Sequence, residues 1–116
     1  MHGDGGQSRG FTYIDDVLRA NQAAAAAPAE ACHGQIYNIA GEASYSLMHL
    51  LEVLGRILHV EPAPVYVDGR AGDIRDIRDS RADGARARAS LGWAPQVGFE
   101  DGLRRAFAWF ERKELR

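Results

Sequence analysis

Leu47, Leu50, Leu51, Leu54 and Leu58 recur at i, i+3, i+4, i+7 and i+11. That spacing draws one apolar stripe along an α-helix. Ser46 stands just before it with a side chain suited to capping. A leucine stripe must be covered, so the question is what else the chain offers. The β-prone runs are few and short: Phe11–Ile14, Gln35–Ala40 and Val65–Val67. Strands of ~4–6 residues are a thin basis for an independent sheet. Asp15 and Asp16 supply N-cap chemistry for a helix running to about Ala27, where Pro28 stops it. Asp83 opens a further helix ending near Leu91, and Gly92 suits the left-handed stop. Gly98 caps a final helix whose third position is Asp101 and whose apolar face is Phe99, Leu103, Ala106, Phe107 and Phe110. Residues 1–10 and most of 68–82 read as loop. The expected fold is α/β, about four helices and a few short strands, part of something larger.

Composition narrows the function classes. Apolar residues make up 46 % and charged residues 26 % of 116 residues, the balance of one modest globular domain. The formal net charge of −2 favours neither nucleic acid nor an anionic membrane. Cys32 is the only cysteine, so neither an intrachain disulfide nor a cysteine-based metal site is available. A reducing, cytoplasmic setting is the expectation. The longest apolar run, Ala23–Pro28, is far too short to cross a bilayer. His2, His33, His49 and His59 stand singly, and none pairs at a metal-ligand spacing.

The remaining polar residues admit two readings each. Gly3, Gly5 and Gly6 do not complete a dinucleotide fingerprint, because Ser8 occupies the third glycine position and no strand precedes them. Arg9, between that loop and a short strand, is either a phosphate clamp or a solvated surface arginine. In 68–83, Arg70, Arg75, Arg78 and Arg81 alternate with Asp73, Asp76, Asp79 and Asp83. This is either a self-paired, solvated loop or a site that gives one arginine a diphosphate and one aspartate a pair of ribose hydroxyls. Tyr37-Asn38 either lines a ligand crevice or fills core and bonds local backbone. No tyrosine has a lysine four residues later, and no catalytic residue is assigned.

Taken in order, these segments resemble one family. Gly3-Asp4-Gly5-Gly6-Gln7-Ser8-Arg9-Gly10-Phe11-Thr12-Tyr13-Ile14-Asp15-Asp16-Val17 resembles its "GDG-x-Q-x-RDFTYVDDV" segment. Gln35-Ile36-Tyr37-Asn38-Ile39-Ala40-Gly41 resembles its "YNIGxG" strand and turn, and Arg70-Ala71-Gly72-Asp73 its "R-x-GD" motif. Ala82-Asp83 and Leu91-Gly92-Trp93-Ala94-Pro95 resemble "AD…LGW-x-P", and Gly102-Leu103 through Trp109 the closing "GL…W" helix. The family is the NAD-dependent sugar-nucleotide epimerases and dehydratases, extended short-chain dehydrogenases/reductases of the UDP-glucose 4-epimerase-like and dTDP-glucose 4,6-dehydratase-like kinds.

The resemblance implies a Rossmann-type fold of which 1–116 is the C-terminal, substrate-binding portion. The N-terminal NAD-binding domain is not expected in this chain. It implies that Arg9 and Arg70 contact the diphosphate of a UDP- or dTDP-hexose, that Asp73 lies near the nucleoside sugar, and that Phe11 sits against the nucleotide. It places Gln35–Ile39 at the edge of a Rossmann sheet. Departures are Gly10 for the usual aspartate, Ala40 for the usual glycine, and a tandem Asp-Ile-Arg at 73–75 and 76–78 that leaves Asp73 and Asp76 competing for the ribose position. The family's Tyr-x-x-x-Lys pair and glycine fingerprint are not in this sequence. The expected function is therefore nucleotide-sugar binding without turnover by the chain alone. NAD belongs to the full-length enzymes, and a homodimer or a separate Rossmann-domain partner would complete the assembly. The alternative is an interaction domain that has lost its ligand.

Overall fold

The computed structural model describes residues 4–66 and 77–114. The element order is β1 (Ser8–Gly10), α1 (Ile14–Ala26), α2 (Ala29–Cys32), β2 (Ser44–Ser46), α3 (Leu47–Leu58), β3 (Asp79–Ser80), α4 (Ala85–Leu91) and α5 (Phe99–Glu114). The chain divides into two compact units, Met1–Arg9 with Ser44–Ser80 and Gly10–Ala43 with Arg81–Arg116.

The first unit carries a small sheet in the order β2-β1-β3. β1 and β3 run parallel, with Ser8 opposite Asp79 and Arg9 opposite Ser80. The chain enters α3 directly from β2, and Ser46 Oγ accepts the N–H of His49 at 3.1 Å, the cap expected from sequence. The leucine stripe of α3 is only half-buried; the deepest side chain of the helix is Val53, 1 % exposed, which is not one of those leucines. The helix ends on His59 in the left-handed conformation, φ 56°, whose N–H donates to the Gly55 carbonyl.

The second unit is helical around a compact core. Ala20 of α1, Ala87 of α4 and Trp93 are buried together, with Ala23, Tyr37, Ile39 and Leu91 packed against them. Gly92, at φ 63°, reverses the chain after α4. Its N–H donates to the Arg88 carbonyl at 3.1 Å, and the Trp93 N–H reaches the Ala87 carbonyl at 3.4 Å. The Gly92 bond is the 5→1 closure of an αL turn, which delivers the indole into the core. The Trp93 Nε1–H then donates to the Asp16 carbonyl at 2.9 Å. Gly41 is required by space: a Cβ there would lie 2.3 Å from the Phe11 carbonyl oxygen. Thr12 Oγ1 accepts the Gly41 N–H at 3.0 Å and holds that approach.

Several local expectations change. The β-prone run Phe11–Ile14 is not the strand; β1 lies just before it, in residues expected to be loop. Gln35–Ala40 forms no strand among the described residues, and Ile36 is 82 % exposed. Its β propensity has no neighbouring strand to pair with, and a strand is defined by its ladder, not by its composition. Val65 and Tyr66 likewise form no strand, while Val67 lies outside the described residues. A fifth helix, the single turn Ala29–Cys32, follows Pro28. Asp15 and Asp16 do not cap α1: Tyr13 is the N-cap residue, without a side-chain cap bond, and both aspartates sit in the first turn. Asp83 caps from one residue further out, accepting the Ala85 N–H at 2.8 Å ahead of Gly84.

Candidate functional site

Arg9 is partly buried on β1, the central strand. Its Nη1 donates to its neighbour's carbonyl, Ser8, at 2.7 Å and to the Ile77 carbonyl at 2.6 Å. The guanidinium is thus held at the entrance of β3 by two main-chain acceptors. Around it the Gly-rich loop is tied down. Asp4 Oδ1 accepts the Gly6 N–H at 2.8 Å, and Arg78 Nη1 contacts both Asp4 carboxylate oxygens at 3.0 Å. The Ser8 N–H donates to the Arg78 carbonyl at 2.8 Å, and the Ser8 hydroxyl bonds Asp79. The Gly6 N–H first, and then Arg78, hold the Asp4 carboxyl below the usual aspartate range. Of the mixed-charge run, Arg78 therefore pairs with the loop 74 residues earlier, not with an adjacent aspartate.

Phe11 belongs to the second unit. Its ring centroid lies 5.1 Å from that of Phe99, tilted by 53°, at the start of α5. Tyr37 packs against the core, bonds the Ala31 carbonyl through its hydroxyl, and lies 5.1 Å beneath the Arg86 guanidinium. Core filling is the reading its contacts support. Arg70, Asp73 and Asp76 lie outside the described residues.

Two groups escaped the sequence reading. Asp16 is 1 % exposed, and its carboxylate accepts the Gln96 N–H at 2.8 Å and the Val97 N–H at 3.2 Å while pairing with Arg19. Asp4 and Arg78 form the second group. Local sequence could show Arg19 beside Asp16 and Gly6 beside Asp4, but not Gln96, Val97 or the Asp4–Arg78 pair, whose partners lie more than 70 residues apart.

NAD does not fit the described residues. A pyrophosphate needs a glycine turn leading from a strand into a helix N-terminus. Here Gly5 and Gly6 precede β1 instead of following it, and the first turn of α1 carries Asp15 and Asp16. β2 runs straight into α3 with Ser46 on the free N–H group, and at α4 the Asp83 carboxylate already occupies the Ala85 N–H. Among the described residues no group of three His, Cys, Asp or Glu side chains could hold a metal ion. No helix among them is long and apolar enough to cross a membrane.

Residues 1–40 match the model of the NAD dependent epimerase/dehydratase family. The UDP-glucose 4-epimerase of Mycolicibacterium smegmatis is 32 % identical over 97 % of this chain and 34 % of its own length. The crystal structure of Thermotoga maritima UDP-glucose 4-epimerase with UDP-glucose superposes with a TM-score of 0.84 at 34 % identity, over all of this chain and 35 % of that one. UDP-glucuronic acid 4-epimerase from Bacillus cereus, in complex with UDP-glucuronic acid and NAD, superposes with a TM-score of 0.85 at 28 % identity, over 97 % of this chain and 34 % of that one. The chain spans about a third of the length of the relatives it matches. Five sequence motifs in order, a family-model match over residues 1–40 and an α/β fold shared with Rossmann-type epimerases agree: the chain is similar to about a third of an NAD-dependent epimerase/dehydratase.

Proposed function

We propose that the chain is the nucleotide-sugar-binding part of an NAD-dependent epimerase or dehydratase. Arg9 and Arg70 hold the diphosphate of a UDP- or dTDP-hexose, Asp73 takes the ribose hydroxyls, and Phe11 sits against the nucleotide. The observation that carries this reading is the Arg9 guanidinium on the central strand, held by the Ser8 and Ile77 carbonyls. A preorganised fork loses little entropy on meeting a diphosphate. Likeness to an epimerase that holds UDP-glucose supports the choice of ligand.

The chain's own contribution is binding and orientation. The hydride and proton transfers belong to an NAD-binding half and its Tyr-x-x-x-Lys pair, neither of which this sequence contains. Titration calorimetry with UDP tests the binding. Arg9→Ala and Arg70→Ala are each expected to weaken it by ~1.5–3 kcal/mol, the range for hydrogen bonds to charged groups. Two variants that bind like wild type would remove the assignment. Mixing the isolated chain with UDP-glucose and NAD is expected to give no epimer and no 4-keto sugar; turnover overturns the division of labour.

A second reading, an association domain without ligand, draws on the apolar side chains left in solvent. Ile14 and Leu18 of α1 are 58 % and 52 % exposed, and Trp109 of α5 is 57 % exposed. Patches of this kind mark partner surfaces. Concentration-dependent dimerisation, with no heat at millimolar nucleotide, would select it.

A further inference from the structure

We propose that Asp4 and Arg78 are positioning residues for Arg9, a clamp that sets the diphosphate-binding guanidinium before ligand arrives. This rests on the reading of Arg9 as the diphosphate ligand. The clamp joins two segments far apart in sequence: the Gly-rich loop and the entrance to β3. Arg78 Nη1 sits 3.0 Å from each Asp4 oxygen, and Asp4 also accepts the Gly6 N–H at 2.8 Å. Between the anchored residues lies the carbonyl of Ile77, which receives Arg9 Nη1 at 2.6 Å. The Ser8 N–H closes the ring on the Arg78 carbonyl at 2.8 Å. Loop, strand entrance and guanidinium are therefore one hydrogen-bonded unit.

The side chains of Arg78 and Asp4 are 71 % and 62 % exposed. An ion pair this wet contributes almost nothing to stability. Its consequence lies in what it holds. An arginine left to wander must be ordered when the diphosphate binds, and ordering a rotamer-rich side chain costs affinity. A single nitrogen of Arg78 makes both carboxylate contacts, so a lysine ammonium can replace it; the geometry asks for charge at one point, not for a fork.

UDP is titrated into the 116-residue chain at neutral pH and low salt, using wild type, R9A, R78A, R78K and D4N. D4N keeps an acceptor for the Gly6 N–H and removes only the charge. R78A and D4N are expected to lower UDP affinity about three- to tenfold, the penalty for immobilising one flexible side chain, with circular dichroism and Tm unchanged. R78K is expected to restore it. In 15N-labelled protein the Arg9 Nε–H resonance moves toward that of free arginine in R78A and stays in place in R78K. Wild-type affinity in R78A and D4N, alongside weak binding by R9A, overturns the positioning role and leaves the binding reading standing. R78K as weak as R78A also overturns it. Absence of UDP binding by wild type, or wild-type affinity in R9A, overturns the binding reading and the positioning role with it.

Discussion

Replacing Asp16 with alanine removes the most deeply buried charge in the described structure, and the cost can be built from its contacts. The residue is 1 % exposed. Its carboxylate accepts the Gln96 N–H at 2.8 Å and the Val97 N–H at 3.2 Å, and pairs with Arg19. Alanine orphans two main-chain donors, each costing ~1–3 kcal/mol when buried. Those donors are only part-buried, so the lower half of that range applies. It also strands Arg19, whose side chain is 32 % exposed and whose Nε is already buried without a partner. Losing one member of a fully buried pair costs ~3–5 kcal/mol, and partial exposure here cuts that to about 1–2 kcal/mol. The sum is about 3–6 kcal/mol, a large fraction of the ~5–15 kcal/mol that holds a domain together. Asp16→Asn, which keeps one acceptor but turns an N–H₂ toward donors, should cost about half as much. Urea unfolding followed by Trp93 fluorescence, in a Trp109→Phe background, measures both. Trp93 reports on the right place, since its Nε1–H donates to the Asp16 carbonyl. A loss under ~1 kcal/mol for Asp16→Ala would refute the claim that this carboxylate ties α1 to the segment after Trp93.

Three further outcomes follow from local geometry. Gly41→Ala puts a Cβ 2.3 Å from the Phe11 carbonyl oxygen, a backbone atom that cannot swing away; about 1–3 kcal/mol of stability should be lost in thermal unfolding, and an unchanged Tm would contradict the close approach. His59→Gly relieves a left-handed residue at φ 56° and should raise stability by about 0.5–1 kcal/mol after the entropy of the unfolded glycine is counted, checked by urea titration. Asp4, with its carboxyl held low by the Gly6 N–H and then by Arg78, favours the folded state above the ordinary aspartate range; that contribution fades as pH falls through the lowered folded value. A carboxyl 13C titration should show a midpoint below that of a free aspartate, moving only part of the way back in Arg78→Ala because the Gly6 bond survives. A midpoint at or above the ordinary value would contradict the loop geometry.

Periodic and punctuating residues made much of this fold readable in advance. The α3 stripe with its Ser46 cap, the α4 stop at Gly92 and the α5 start near Gly98 each depend on contacts within a few residues, and such contacts are written in the local sequence. The resemblance to a family was legible for a related reason: the motif residues Gly41, Gly92 and Trp93 sit at a close approach, a turn and a buried anchor.

Tertiary structure decided everything that depends on a distant partner. Gln35–Ala40 has the composition of a strand and forms none, because a ladder needs a neighbour and the described chain supplies none there. Asp16 looked like a helix cap and is a buried acceptor for Gln96 and Val97, 80 and 81 residues away. Arg78 looked like one charge in a self-cancelling run and proves to pin Asp4 across 74 residues. Arg9 gave no sign of its partner until the fold brought the Ile77 carbonyl to its guanidinium. A side chain's identity sets which bonds it can make, and only the folded path of the chain sets which partner arrives to make them.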